Sequence, residues 1–382
     1  MGRFVLSDVA FARVADKAKA AGSATHAGEE RQRNGLGLDP LVDPAEHGVI
    51  RRSLSWLEPE GDYFTLLRGV AILEETRLDT TGSMHKNVEI AMRVLPTTYK
   101  LLSTGPNAVL RRYDTQMITS IFGDERDRYI LCRSQAEMDD RIAEQMTLMV
   151  PEGGGWGNGK EDPQYGLFGG AYLTQNSIND YGLKGYDFTI SDEPVPDYID
   201  EDNLIRVFGS KVFEKVAENG HSINRKEIPR TKQVVTDLLK RAHAFFLYVE
   251  TGHRCFDVWE RLFGKERVIK IPDVEYLPHI KATIIGLTEG VLDLQTAEEF
   301  LAGIPTVGNH TLGKGMAREI IKSVTHIPIG AQSALPNFGK IPLKGDKFAK
   351  KGDIWPMSGD FEHEFSTEDK NMATDKKRKM WL

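Results

Sequence analysis

The stretch Asp79-Thr80-Thr81-Gly82-Ser83-Met84 decides how this chain is read. It stands between two segments of different period. Before it, Val70 to Leu78 reads as a strand, although the Glu74-Glu75 pair is unusual for a buried one. After it, Met84 to Leu101 places Val88, Ala91, Val94, Leu95 and Leu101 near one helical face. Pro96 is set to kink that helix or end it. Between the two, one carboxylate and two hydroxyls at positions i, i+2 and i+4 can converge on one cation. All three are hard oxygen donors, which select Mg2+, Mn2+ or Ca2+ over softer metals. Gly82 permits the tight turn between them. The competing reading is ordinary helix capping, because Asp, Ser and Thr are favoured at helix starts.

Outward from this point, apolar runs alternate with amphipathic segments. Strands are expected at 116–122, 128–132, 185–191, 245–249 and 267–271, and helices at 138–149, 166–178 and 277–290. Asp202 is expected to cap a further helix carrying Leu204, Val207, Phe208, Val212 and Val216. This alternation predicts an α/β fold, a doubly wound and mostly parallel central sheet flanked by helices. In such sheets ligands sit outside the carboxyl ends of the strands. Two further segments are aimed at that edge. Ser191-Asp192-Glu193 closes one strand, and the glycine-rich run 153–163 carries Glu161 and Asp162.

With these residues in place, the chain resembles the von Willebrand factor A domain and its metal-ion-dependent adhesion site. Asp79, Thr81 and Ser83 match that site's Asp-x-Ser/Thr-x-Ser signature, and the element order from about residue 63 to 290 follows the family. The resemblance implies a divalent cation, Mg2+ first, held by Asp79, Thr81, Ser83 and Asp192. In the middle loop the family offers Thr or Asp soon after paired glycines. Here Trp156 follows Gly155, and Asp162 is the preferred substitute because it precedes a proline and a helix. The implied function is a non-enzymatic, metal-dependent protein-binding module whose partner supplies an acidic side chain. In bacteria and phages such domains work beside AAA+ ATPases of the MoxR class, so an adaptor or subunit role is expected. Two other classes stay open: an assembly protein that uses its terminal arms to form a homo-oligomer, and a metal-dependent hydrolase, which needs a base and a second metal or oxyanion donor.

Composition narrows the field. Across 382 residues, 40% hydrophobic and 27% charged content fits a globular chain with a sizeable core. A net charge of −7 argues against a nucleic-acid scaffold. Two cysteines, Cys132 and Cys255, fit a reducing compartment and build no zinc cage. The start has no long apolar targeting segment and the longest apolar runs are too short to span a bilayer, so a cytoplasmic protein is expected. Residues 1–60 read as an arm, 61–294 as the domain, and 295–382 as an extension with a basic tail at 376–379. Gly154 to Lys160 and Gly308 to Lys314 imitate phosphate loops. Both lack the following Ser or Thr and read as plain loops.

Overall fold

In a computed structural model, residues 26–104, 108–138, 141–151, 160–303 and 312–350 are described. The run 152–159, most of the second phosphate-loop mimic and the basic tail lie outside the described residues.

Eleven strands occur among the described residues: β1 (Ile50–Arg51), β2 (Trp56–Glu60), β3 (Tyr63–Arg68), β4 (Ala71–Asp79), β5 (Asp114–Phe122), β6 (Leu131–Arg133), β7 (Thr174–Gln175), β8 (Gly185–Ser191), β9 (Ala242–Tyr248), β10 (Val268–Lys270) and β11 (Lys347–Phe348). Six of them form the central sheet in the order β10-β9-β8-β4-β5-β6, parallel throughout except for β6. The class is therefore α/β with a mixed, mostly parallel sheet flanked by helices.

Strand alternation separates two cores. On β9, Phe245 and Leu247 enter one apolar cluster, while Ala244, Phe246 and Tyr248 enter the other. Helices His85–Val94, Thr98–Ser103 and Leu277–Glu289 contribute to the first cluster. Helices Gln164–Tyr172, Glu201–Phe208, Thr231–Arg241 and Phe256–Phe263 contribute to the second. The chain leaves β4 through the first helical layer to reach β5, then returns to the other side of β4 as β8. The order of strands thus reverses between β4 and β8, where a doubly wound sheet opens a crevice at its carboxyl edge.

Several sequence expectations shift in the structure. The helix after Met84 breaks around Pro96 into His85–Val94, a 3-10 turn at Leu95–Thr97 and Thr98–Ser103. The helix expected from Asp202 is capped instead by Asp200, whose side chain accepts from Asn203 N at 2.9 Å. It stops at Gly209, which has a φ of 81°, and a second helix starts at Val212. The described part of the arm, 26–60, is built into the fold. Its β1 pairs in parallel with β7, and β2 pairs with β3 across the expected boundary at residue 60. β11 then joins β3 from the far end of the chain.

β4 is buried at every position despite Glu74, Glu75 and Arg77. On one face Glu74 meets Lys281 Nζ at 2.9 Å. On the other, Arg77 grips Asp187 with two bonds of 2.5 and 2.7 Å, and Arg133 grips Glu75 with two of 2.9 and 2.8 Å. Helix Gln164–Tyr172 lies over this second network on glycines. A Cβ at Gly166 would meet the Arg77 side chain at 2.6 Å, and one at Gly170 would meet it at 2.4 Å.

Candidate metal centre

β4 ends at Asp79. The register that pairs Leu78 with Ile190 brings Asp79 level with Ser191 on the neighbouring strand. Ser191 Oγ donates to Asp79 Oδ2 at 2.6 Å. The other oxygen, Oδ1, accepts from Thr81 N at 2.9 Å and from Thr81 Oγ1 at 2.6 Å. Ser83 Oγ reaches across the crevice to Asp192 Oδ1 at 3.0 Å, and the Thr251 hydroxyl donates to Asp192 Oδ2. Asp79, Thr81, Ser83 and Asp192 are thus brought together at the switch point.

These hydroxyls are not helix caps. The residue at the N-cap of His85–Val94 is Met84, and no side-chain bond caps that helix. Thr81 and Ser83 turn to the two carboxylates instead. The same loop conformation that would suit capping therefore serves the rim.

Asp162 is placed differently. Its Oδ2 accepts from Glu125 N and its Oδ1 from Gln164 Nε2, both at 2.5 Å. It ties the loop after β5 to the start of helix Gln164–Tyr172, and burial pushes its acid up to about 6. Its neighbour Glu161 faces the cluster. The Glu161 backbone N donates to Pro194 O at 3.2 Å, and its carboxyl shares a hydrogen bond with Thr81. The segment 160–162 therefore bridges the loops after β5 and β8.

Electrostatics at this rim are one-sided. Burial pushes Asp79 up to about 7, against the hydrogen bonds from Ser191 and Thr81 that favour its charge. Burial, then the charges of Asp79, Glu193 and Asp124, push Glu161 up to about 10. Glu193 is raised by burial and pulled back by His253. Glu161 Oε2 and Glu193 Oε2 are buried without a hydrogen-bond partner. Among the described residues no three side chains drawn from His, Cys, Asp and Glu form a ready-made metal cage. The donor set here is two carboxylates with hydroxyls, and it fits a hard divalent cation by its chemistry.

Sequence reasoning missed Thr251; it named Glu161 and Glu193 on the right segments but preferred Asp162 and Asp192 as ligands. Thr251 lies just past the end of β9, so the rule that ligands gather at carboxyl ends was the available signal. Glu161 and Asp162 are adjacent, and only the backbone path decides which one faces inward. Cys132 and Cys255 are both buried, and Cys255 Sγ contacts Asp192 O at 3.1 Å.

No protein-family profile matches this chain, and no curated protein matches it. Among solved structures, a pilus adhesin, SpaC from Lactobacillus rhamnosus GG, aligns over 61% of this chain and 34% of its own at 13% identity, with a TM-score of 0.34. This chain therefore spans about a third of that protein's length. Among the described residues no helix is long and apolar enough to cross a membrane.

Proposed function

We propose that the chain is a von Willebrand factor A-like domain that binds a partner protein through a divalent cation at the β4–β8 switch point. The observation that carries this reading is the meeting of two hydrogen-bonded groups from the ends of β4 and β8, Asp79 with Thr81 and Asp192 with Ser83, near enough for the two carboxylates to act on each other's charge.

Asp79, Ser83 and Asp192 would hold the cation, with Thr81 beside them. When bound, a hard divalent cation offers an open position that an acidic side chain of a partner can fill. The chain's own residues prepare this edge. Ser191 and Thr81 fix both oxygens of Asp79, and Ser83 and Thr251 fix both oxygens of Asp192. Burial makes the Asp79 carboxylate costly to ionise alone, so a cation is the counter-charge that this rim needs. The partner class to which the resemblance points is an AAA+ ATPase of the MoxR type, with this chain as adaptor or subunit.

A pull-down of the full chain with Mg2+ and with EDTA tests the reading, using folded wild type and Asp79→Ala side by side. Partner capture is expected only for wild type with Mg2+. Equal capture in EDTA and by Asp79→Ala would overturn it.

A further inference from the structure

We infer that the rim takes a second divalent cation, at a subsite formed by Glu161 and Glu193 beside the Asp79–Asp192 position. This inference rests on the reading of the rim as a cation site and adds a site to it.

The two glutamates come from different segments that touch through their backbones. Glu161 N donates to Pro194 O at 3.2 Å, immediately after Glu193. Both side chains are enclosed, with Glu161 4% and Glu193 7% exposed. Each keeps one carboxylate oxygen, Oε2, buried with no hydrogen-bond partner. A buried orphan oxygen carries its full desolvation cost, and more when charged. Two such oxygens on neighbouring segments therefore ask for a common partner. Glu193 meets one basic group, His253, whose Nδ1 stands 3.5 Å from its Oε1 and whose side chain is 45% exposed.

Glu161 touches the first set through its hydrogen bond with Thr81, but the carboxylates of that set are engaged elsewhere. Asp79 and Asp192 have all four of their oxygens engaged by Ser191, Thr81, Ser83 and Thr251. The backbone groups of Glu193 are engaged as well, its N by Ser191 Oγ at 3.1 Å and its O by Trp259 Nε1 at 2.9 Å. Trp259 is itself fully buried, so the Glu193 main chain is fixed. Mg2+ and Mn2+ suit a subsite of two carboxylates, because such ions keep several waters and need only one or two protein carboxylates.

Counting Mn2+ on the metal-freed full chain tests this. Equilibrium dialysis gives the stoichiometry, electron paramagnetic resonance shows whether two ions are neighbours, and circular dichroism checks the fold of each variant. Wild type is expected to bind two Mn2+ with spin coupling, the near-isosteric E161Q/E193Q double variant one, and Asp79→Asn also one. One ion in wild type that the double variant retains overturns the second subsite and leaves the Asp79 position standing. One ion in wild type that the double variant loses makes the glutamates ligands of a single cation and overturns it too. Two ions retained by the folded double variant place the second ion elsewhere, and none retained shows that the positions are not separate; both overturn it. No binding by wild type overturns both this inference and the reading on which it rests.

Discussion

Two clusters of charge lie on one face of β4, two residues apart, and they solve the problem of burial in opposite ways. In the lower cluster every charge has a partner. Burial opposes the Arg77 charge, yet Asp187 and Glu75 outweigh it and hold the guanidinium above its ordinary range. Burial likewise opposes the Glu75 charge, and Arg133 and Arg77 hold that acid below its ordinary range. In the upper cluster Asp79, Glu161, Asp192 and Glu193 share one sign, and burial with mutual repulsion pushes Asp79 and Glu161 upward. A network that neutralises itself is a structural brace. A network of one sign lacks the counter-charge that the proposed cation would supply. The contrast separates the two roles without any appeal to which residues are charged, since both contain acids at the same depth.

Removing a partner should break the lower cluster most severely. Asp187→Ala leaves Arg77 charged and buried, and is expected to cost about 3–5 kcal/mol in urea unfolding. A loss under about 1 kcal/mol would mean that the pair is weaker than its geometry implies. The next effect belongs to the rim. A divalent cation at about 100 times its Kd should stabilise wild type by about 2.7 kcal/mol, read as a rise in Tm. That rise should shrink from pH 8 to pH 6. Asp79, pushed up to about 7, takes a proton there in place of the cation. A rise that grows on acidification would contradict the assignment.

The same kind of substitution should then give opposite signs in the two clusters. Glu161→Gln, measured in EDTA at pH 8, is expected to stabilise by roughly 1–3 kcal/mol. The folded state holds the Glu161 acid at about 10, far above its unfolded value. Its contribution is therefore present at low pH and lost as pH rises, so removing the acid helps at pH 8. Destabilisation in that buffer would show that Glu161 is satisfied after all. The smallest effect tests the lid over the lower cluster. Gly170→Ala places a methyl 2.4 Å from Arg77 Nη2 and should cost about 1–3 kcal/mol. Gly303→Ala, at a helix end with open space around it, is the control and should change little.

The sequence carried the rim more legibly than the brace. Asp79, Thr81, Ser83 and Asp192 could be grouped because each follows an apolar run, and in a parallel sheet such positions must share an edge. β8 was readable to the residue because Gly185 and the Asp192-Glu193-Pro194 turn frame it. The choice between Glu161 and Asp162 was not readable, since it depends on which of two adjacent side chains is drawn off by Glu125 N and Gln164. The Glu74-Glu75 pair looked anomalous because its partners Lys281 and Arg133 lie far away in sequence. Helix Leu277–Glu289 was expected at 277–290 even though its residues are buried on every side. The hairpin of β2 and β3 was hidden for another reason. It straddles the point where composition changes, and a boundary was drawn through it.

The glycines of helix Gln164–Tyr172 have a last consequence, in the order of assembly. Three glycines in nine residues, Gly166, Gly169 and Gly170, cost about 1 kcal/mol each in helix propensity relative to alanine. Such a segment has little tendency to coil in isolation. It becomes helical only when the arginines beneath it are already seated. We therefore expect it to be a late-forming element, and pulse-labelled amide exchange that finds its amides protected first would refute this. Glu161 and Asp162 sit immediately before its first turn. The last piece of the polypeptide to settle is then the one that brings its carboxylates over the crevice, so that the socket is finished only after the body of the domain has formed.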